Sequence, residues 1–185
     1  MIMKTEKEFD PVQQYHASLT TEKLVFADEV DKYHFLSMLG EKTRSYGAHT
    51  SGFCLLDKSV HVLMDTGESE INARQILRDC FDNAYVGYYR ERHGFKNPIR
   101  ARSGQEAASS EKRYLRWLYQ MHVLPVIHGI VREPDDYWWT SWQTYRERYE
   151  WPFVETEGAL SLLNENHDKA LHQLREQQNM LIEDK

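Results

Sequence analysis

Leu56-Asp-Lys-Ser-Val-His-Val-Leu-Met-Asp-Thr66 is the stretch whose reading decides the fold. Ser59 and His61 stand two apart, so in an extended strand their side chains share one face. Two histidines at that spacing can chelate one divalent ion. Serine holds one of the two places here, which makes the strand look like half of a metal site. Asp57-Lys58 reads as a tight turn joining His49 to Leu56, a partner strand, to Ser59 to Met64.

The pattern outside this hairpin extends the plan in both directions. Tyr15 to Thr20 reads as a first strand. Asp28 can cap a helix whose apolar positions include Val30, Phe35, Leu36 and Leu39 and which ends near Tyr46, with Gly47 at its C-cap. Beyond the hairpin, Ile71, Ile76, Leu77, Cys80, Phe81, Ala84, Tyr85 and Tyr88 recur at helical spacing up to Gly94. An irregular basic stretch opened by Asn97-Pro98 has room for a short fourth strand. Glu111 to Val123 predicts a third helix, which Pro125 is expected to break. Strand-helix-strand-strand-helix-strand is the α+β, ferredoxin-like βαββαβ plan, an antiparallel sheet with helices on one face.

The remainder divides naturally. Residues 1–14 read as an N-terminal arm, 15–150 as the domain, and 151–185 as a C-terminal amphipathic helix. From Gly158, that helix carries Leu160, Leu163, His167, Leu171, Leu174 and Leu181 along one stripe, to pack on the body or on a second copy. Tyr137, Trp138, Trp139, Trp142, Tyr145 and Tyr149 form a dense aromatic run, either packed against the domain or free to stack on bases.

Length and composition fit one globular domain: 185 residues, 41% hydrophobic and 12% aromatic. No apolar run approaches the ~20 residues of a membrane helix, and Met1-Ile-Met-Lys-Thr-Glu-Lys7 has no signal-peptide core, so a cytoplasmic protein without a membrane partner is expected. Cys54 and Cys80, isolated in apolar segments, read as reduced core residues. The net charge of −6 argues weakly against polyanions, yet residues 155–185 alone hold seven acids against three bases. Arg90, Arg92, Lys96, Arg100 and Arg102 face only Glu91 within their stretch, which suits phosphate contacts.

Three colinear stretches carry a resemblance. They are Tyr15-His16 through Phe26-Ala-Asp-Glu-Val-Asp-Lys-Tyr-His-Phe-Leu-Ser-Met-Leu39; Gly52-Phe-Cys-Leu-Leu-Asp-Lys-Ser-Val-His-Val-Leu-Met64; and Arg113-Tyr-Leu through Gln120-Met-His-Val-Leu-Pro-Val-Ile-His-Gly-Ile-Val131, continuing to Pro134-Asp-Asp-Tyr-Trp-Trp-Thr-Ser-Trp142. Over about residues 15–145, this resembles the single-tyrosine HUH transposases, specifically the REP-associated tyrosine transposase group. The resemblance implies a tyrosine phenolate that attacks a DNA phosphodiester, leaving a 5′-phosphotyrosine and a free 3′-OH. It also implies a Mg²⁺ or Mn²⁺ ion that polarises the phosphate, held by two strand histidines and a polar ligand one helical turn after the tyrosine.

Carried over residue by residue, the histidine positions fall on Ser59 and His61, the nucleophile on Gln120 and the helix ligand on Leu124. Serine is a poor ligand, glutamine cannot accept a phosphoryl group, and leucine has no donor atom. Val60, Pro125, Gly129, Tyr137 and Ser141 keep the pattern. Tyr119, rotated by about 100° from Gln120 on a helix, is the alternative nucleophile. His61, His122 and Gln120 are the alternative metal set, with His61 the most direct candidate. Two places where the pattern has arginine read Leu19-Thr20 and Ile127-His128, which removes basic character.

The expected function is a transposase-like protein that binds single-stranded or hairpin DNA as a homodimer and no longer cuts it, with no cofactor expected and Mg²⁺ or Mn²⁺ only if activity remains. Its phosphate contacts are expected at Arg90, Arg92, Lys96, Arg100 and Arg102, with Trp138, Trp139 or Trp142 as stacking candidates. The alternatives are an active transposase rearranged around Tyr119, His61 and His122, and a protein-interaction module dimerised by its C-terminal helix.

Overall fold

The computed structural model describes residues 10, 13–67 and 71–184; the expected arm over 1–14 lies largely outside the described residues. Four strands, β1 (Gln14–Thr21), β2 (His49–Leu55), β3 (Ser59–Asp65) and β4 (Ala101–Ala107), form one antiparallel sheet in the order β2-β3-β1-β4. With α1 (Glu29–Ser45) between β1 and β2, and α2 (Ala73–Arg78) following β3, this is the expected βαββαβ arrangement.

Local chemistry sets the boundaries. Asp28 Oδ1 accepts the Asp31 amide at 2.9 Å to start α1, and Gly47 at φ +65° ends it, a conformation glycine adopts without a Cβ clash. Phe35, Leu36 and Leu39 of α1 are buried, but Val30 is 57% exposed. It lies five residues before Phe35, about 140° around the helix axis, so the apolar stripe excludes it. Ile71 also falls outside its expected helix, because Asn72 and Gln75 form a capping box and helix begins at Ala73. α2 then runs through a π-helical stretch, Asp79–Tyr85, into α3 (Val86–His93), which Gly94 closes at φ +61°.

Side-chain alternation gives the sheet two distinct faces. Gln105 of β4 pairs with Ala17 and accepts the Arg74 amide of α2 at 2.9 Å, so α2 covers the Ala17 face. Phe26, Phe35, Phe81 and Tyr85 form an aromatic cluster at α1 and the π segment, and the Tyr85 hydroxyl donates to the Val25 carbonyl. Glu106, paired with His16, meets Arg113 of α4 (Glu111–Ile127) at 2.9 Å. The two helices of the βαββαβ unit thus share one face, and α4 adds a layer on the other.

Pro125 does not break α4, which continues to Ile127. Proline removes one amide donor, and this loss comes only one turn before the helix ends. Gly129 at φ +69° is the actual stop, its amide donating to Val126 O at 3.0 Å.

The C-terminal region is not one helix but two, α6 (Glu157–Ser161) and α7 (His167–Glu183). Asn164 Oδ1 accepts the Asn166 amide, and Asn166 caps α7 through the Lys169 amide, both at 3.0 Å. These two local bonds compete with helix continuation. Leu160, Ala170, Leu174 and Gln178 are buried, whereas His167 is exposed.

The aromatic run mostly completes the fold. The amide of Leu55 donates to Trp139 O at 2.9 Å, and Ser141 N donates to Phe53 O at 3.0 Å, so this segment covers the free edge of β2. Tyr137 and Tyr145 donate to Leu55 O and Ser51 O, each at 2.8 Å. The short α5 (Trp142–Tyr145) lies within this cover.

Candidate nucleic-acid interface

The sheet face beneath α4 carries the residues that the HUH pattern singles out. Ser59 and His61 share that face with Ser18 and Thr20, their partners on β1. Arg113, Trp117, Gln120, Leu124 and His128 form one stripe down α4 at spacings of three or four. At one end, Trp117 lies 5.4 Å from the His16 ring; at the other, His128 is close enough to push His61 further from protonation. Gln120 and Leu124 therefore occupy the helix positions between, facing the Ser59–His61 strand.

The donor chemistry at this place does not fit a Mg²⁺ or Mn²⁺ ion held in the manner of the family pattern. Those ions favour several oxygen donors, and that pattern adds an imidazole pair along β3, whereas the four positions supply one hydroxyl, one imidazole, one carboxamide and an alkyl chain. Among the described residues, no group of three or more His, Cys, Asp or Glu side chains gathers as a metal site.

The alternative set also comes apart. His122 is fully buried, with Nε2 bonded to Ser141 Oγ and Nδ1 accepting from Gln178 Nε2, both at 2.9 Å. Both ring nitrogens are thereby engaged away from His61. Tyr119 is 9% exposed, and burial, with Glu111 adding to it, pushes its phenol up to about 12. A nucleophilic phenol needs the opposite shift.

His61 instead meets a residue to which the sequence reading assigned no role. Its Nδ1 lies 3.2 Å from Nε2 of His16 on β1, and the ring planes are inclined by only 14°. Burial, then His16 and His128, hold His61 down at about 4; burial also lowers His16, with Glu106 working against it.

The five basic residues separate into distinct settings. Arg92 turns into the fold, donating to Asp28 Oδ1 at 2.9 Å and to the fully buried Asp31, which also contacts His93 at 2.9 Å. Arg90 and Lys96 are exposed around the end of α3, and neither is ion-paired with a described residue. Arg100 and Arg102 line a cleft of about 700 Å³ with Thr20, Thr21, Glu22, Arg78, Ile99 and Ala101. Arg78, unremarked in the sequence, is fixed there by Asp82 at 2.6 Å and the Ala101 carbonyl at 3.0 Å. No sequence signal placed it there, because α2 and β4 are far apart along the chain.

Of the three tryptophans named for stacking, Trp139 and Trp142 are buried; Trp138 is 43% exposed and sits 5.1 Å from Tyr149. None of the helices among the described residues is long and apolar enough to cross a membrane.

No family model matches the chain, and no curated protein matches it. Among solved structures, it is similar to a REP-associated tyrosine transposase bound to a REP hairpin, with a TM-score of 0.60 and 14% sequence identity. That similarity covers 83% of this chain and 92% of the other. The chain thus has the fold of a REP-associated tyrosine transposase.

Proposed function

We propose that this chain binds single-stranded or hairpin DNA and does not cut it. The observation that carries the binding half is the fold shared with a transposase solved on its hairpin. The cleft supports it: Arg78, Arg100 and Arg102 outnumber Glu22, and the exposed Thr20 hydroxyl stands beside them. This is the donor chemistry that phosphate oxygens select. The non-cutting half rests on Gln120 and Leu124 facing Ser59, and on the phenol of Tyr119 being shifted away from ionisation.

A labelled hairpin titrated over a salt series tests binding. We expect affinity to fall as salt rises, and to fall further when Arg100→Gln and Arg102→Gln are combined. Hairpin retention that is absent at low salt, or indifferent to both substitutions, refutes the binding half. The same hairpin offered with Mg²⁺ or Mn²⁺ tests cleavage; a covalent protein–DNA adduct lost in Tyr119→Phe refutes the other half. Dimerisation through the C-terminal helix has less apolar surface to draw on, because α7 buries Ala170 and Leu174 within the same chain.

A further inference from the structure

We propose that His16 and His61 form a two-imidazole site for a borderline transition-metal ion, Zn²⁺ foremost, built across β1 and β3 rather than along β3. The inference concerns a donor pair different from the HUH set, of which it uses His61 alone.

Distance is the first argument. Two Zn–N bonds of about 2.0–2.1 Å at a tetrahedral angle place their nitrogens roughly 3.3–3.4 Å apart. His16 Nε2 and His61 Nδ1 are 3.2 Å apart, within about a tenth or two of an ångström of that separation, so admitting the ion requires mainly that each ring turn its lone pair from the other nitrogen toward the ion. In the metal-free pair, one ring donates its N–H to the other. On binding, that ring carries its hydrogen on its other nitrogen, which frees the second lone pair without any change in charge.

Rigidity is the second. His61 lies opposite Ser18 and His16 opposite Leu63 in the β1–β3 ladder, so the sheet register brings the rings together diagonally. His16 packs between His61 and Trp117, both with ring centroids 5.4 Å away. Arg113 lies 5.0 Å over Trp117 and holds Glu106 at 2.9 Å, which backs the arrangement from α4. Burial keeps both rings neutral at neutral pH, the form that ligates. Both residues remain partly accessible, so an ion can reach them.

Donor type sets the choice of ion. Among the described residues no third His, Cys, Asp or Glu joins the pair, so water would complete the coordination shell. Imidazole nitrogens favour Zn²⁺, Co²⁺, Ni²⁺ and Cu²⁺, whereas Mg²⁺ prefers oxygen donors. The pair therefore favours these ions over Mg²⁺.

The test is calorimetric titration of the full chain with Zn²⁺, alongside ring ¹H–¹⁵N spectra of its histidines. One equivalent is expected to bind, to move the His16 and His61 ring signals together, and to be lost in both His16→Gln and His61→Gln. Excess Mg²⁺ is expected to leave that binding unchanged. The spectra use the unaltered protein, so they decide the matter even if a variant misfolds. Ring signals that shift only at surface histidines such as His172, or Zn²⁺ heat unchanged by both substitutions, overturn the proposal. No DNA is present, so a failure here is separate from a failure of the DNA-binding reading.

Discussion

The side-chain amide of Gln178 on α7 donates to Nδ1 of His122 on α4 at 2.9 Å, within a protein interior that excludes water from both groups. His122 passes the chain on from Nε2 to Ser141 Oγ, which accepts the amide of Phe53 at 3.0 Å. One line of hydrogen bonds therefore ties the C-terminal helix, the helix bearing Gln120 and the outer edge of the sheet. Replacing Gln178 by leucine keeps its approximate volume and strips the buried imidazole of its donor. We expect a loss of about 1–3 kcal/mol, the cost of leaving a buried polar group unpaired, read as a lower urea midpoint. An unchanged midpoint would show that α7 is not held by this bond.

The same imidazole makes stability pH-dependent. Burial holds His122 at about 3, against 6.5 in an unfolded chain. The unfolded state therefore binds a proton that the folded state refuses, and stability must fall as pH drops below 6.5. The slope from this one group is about 1.4 kcal/mol per pH unit, continuing down toward 3. His61, held at about 4, adds a second contribution of the same sign. His122→Gln is expected to flatten the dependence between pH 6.5 and 4.5 by about one proton in denaturation curves. Equal slopes in variant and parent would contradict it.

How much of this was legible in the sequence depended on whether a feature is local. The Asp28 cap, the Gly47 and Gly94 stops and the Asp57-Lys58 turn are short-range chemistry, and each stands where the residues put it. Pro125 misled because the rule against helix-interior proline concerns a lost bond and a clash with the previous turn. One turn from a helix end, tertiary burial of α4 outweighs that cost. The stripe from Gly158 misled because a 3.6-residue period survives a short break, and only the Asn164 and Asn166 side chains mark it. The His16–His61 pair was invisible because register between β1 and β3 is a property of two strands. Arg92 showed only charge in the sequence; its partners, Asp28 and Asp31, lie more than sixty residues away.

Gly40 sets two effects against each other. In mid-helix, alanine is favoured over glycine by roughly 0.5–1 kcal/mol. A Cβ at Gly40, however, would lie 2.9 Å from Phe153 Cδ1 and 3.1 Å from both its Cβ and Cγ. The ring base is not a flexible tip that can swing aside, and overpacking typically costs about 1–3 kcal/mol. Gly40→Ala is therefore expected to destabilise by up to ~2 kcal/mol in thermal or chemical denaturation. A gain in stability would show that the 151–153 segment yields easily.

Arg92 and Arg102 belong to the same basic stretch but are expected to act on different properties. Arg92→Gln removes a donor from the buried Asp31 and should lower the melting temperature while leaving the salt slope of hairpin binding intact. Arg102→Gln should leave melting unchanged and reduce that slope by about one, the signature of one phosphate contact. Identical behaviour of the two variants in either assay would reject this separation.

The proposed correspondence with the HUH positions can be tested by building that pattern's own residues into the fold. Ser59→His, Gln120→Tyr and Leu124→Asn together would place a second imidazole two residues from His61, and a phenol and a carboxamide on the α4 stripe that faces them. The unaltered chain should leave the paramagnetic resonance of free Mn²⁺ essentially unchanged, because neither the HUH positions nor the His16–His61 pair offers the oxygen donors that Mn²⁺ prefers. The triple variant should broaden it at one equivalent, and His61→Ala in that background should abolish the effect. Mn²⁺ that stays free in the triple variant would show that the backbone does not hold these positions in the HUH geometry.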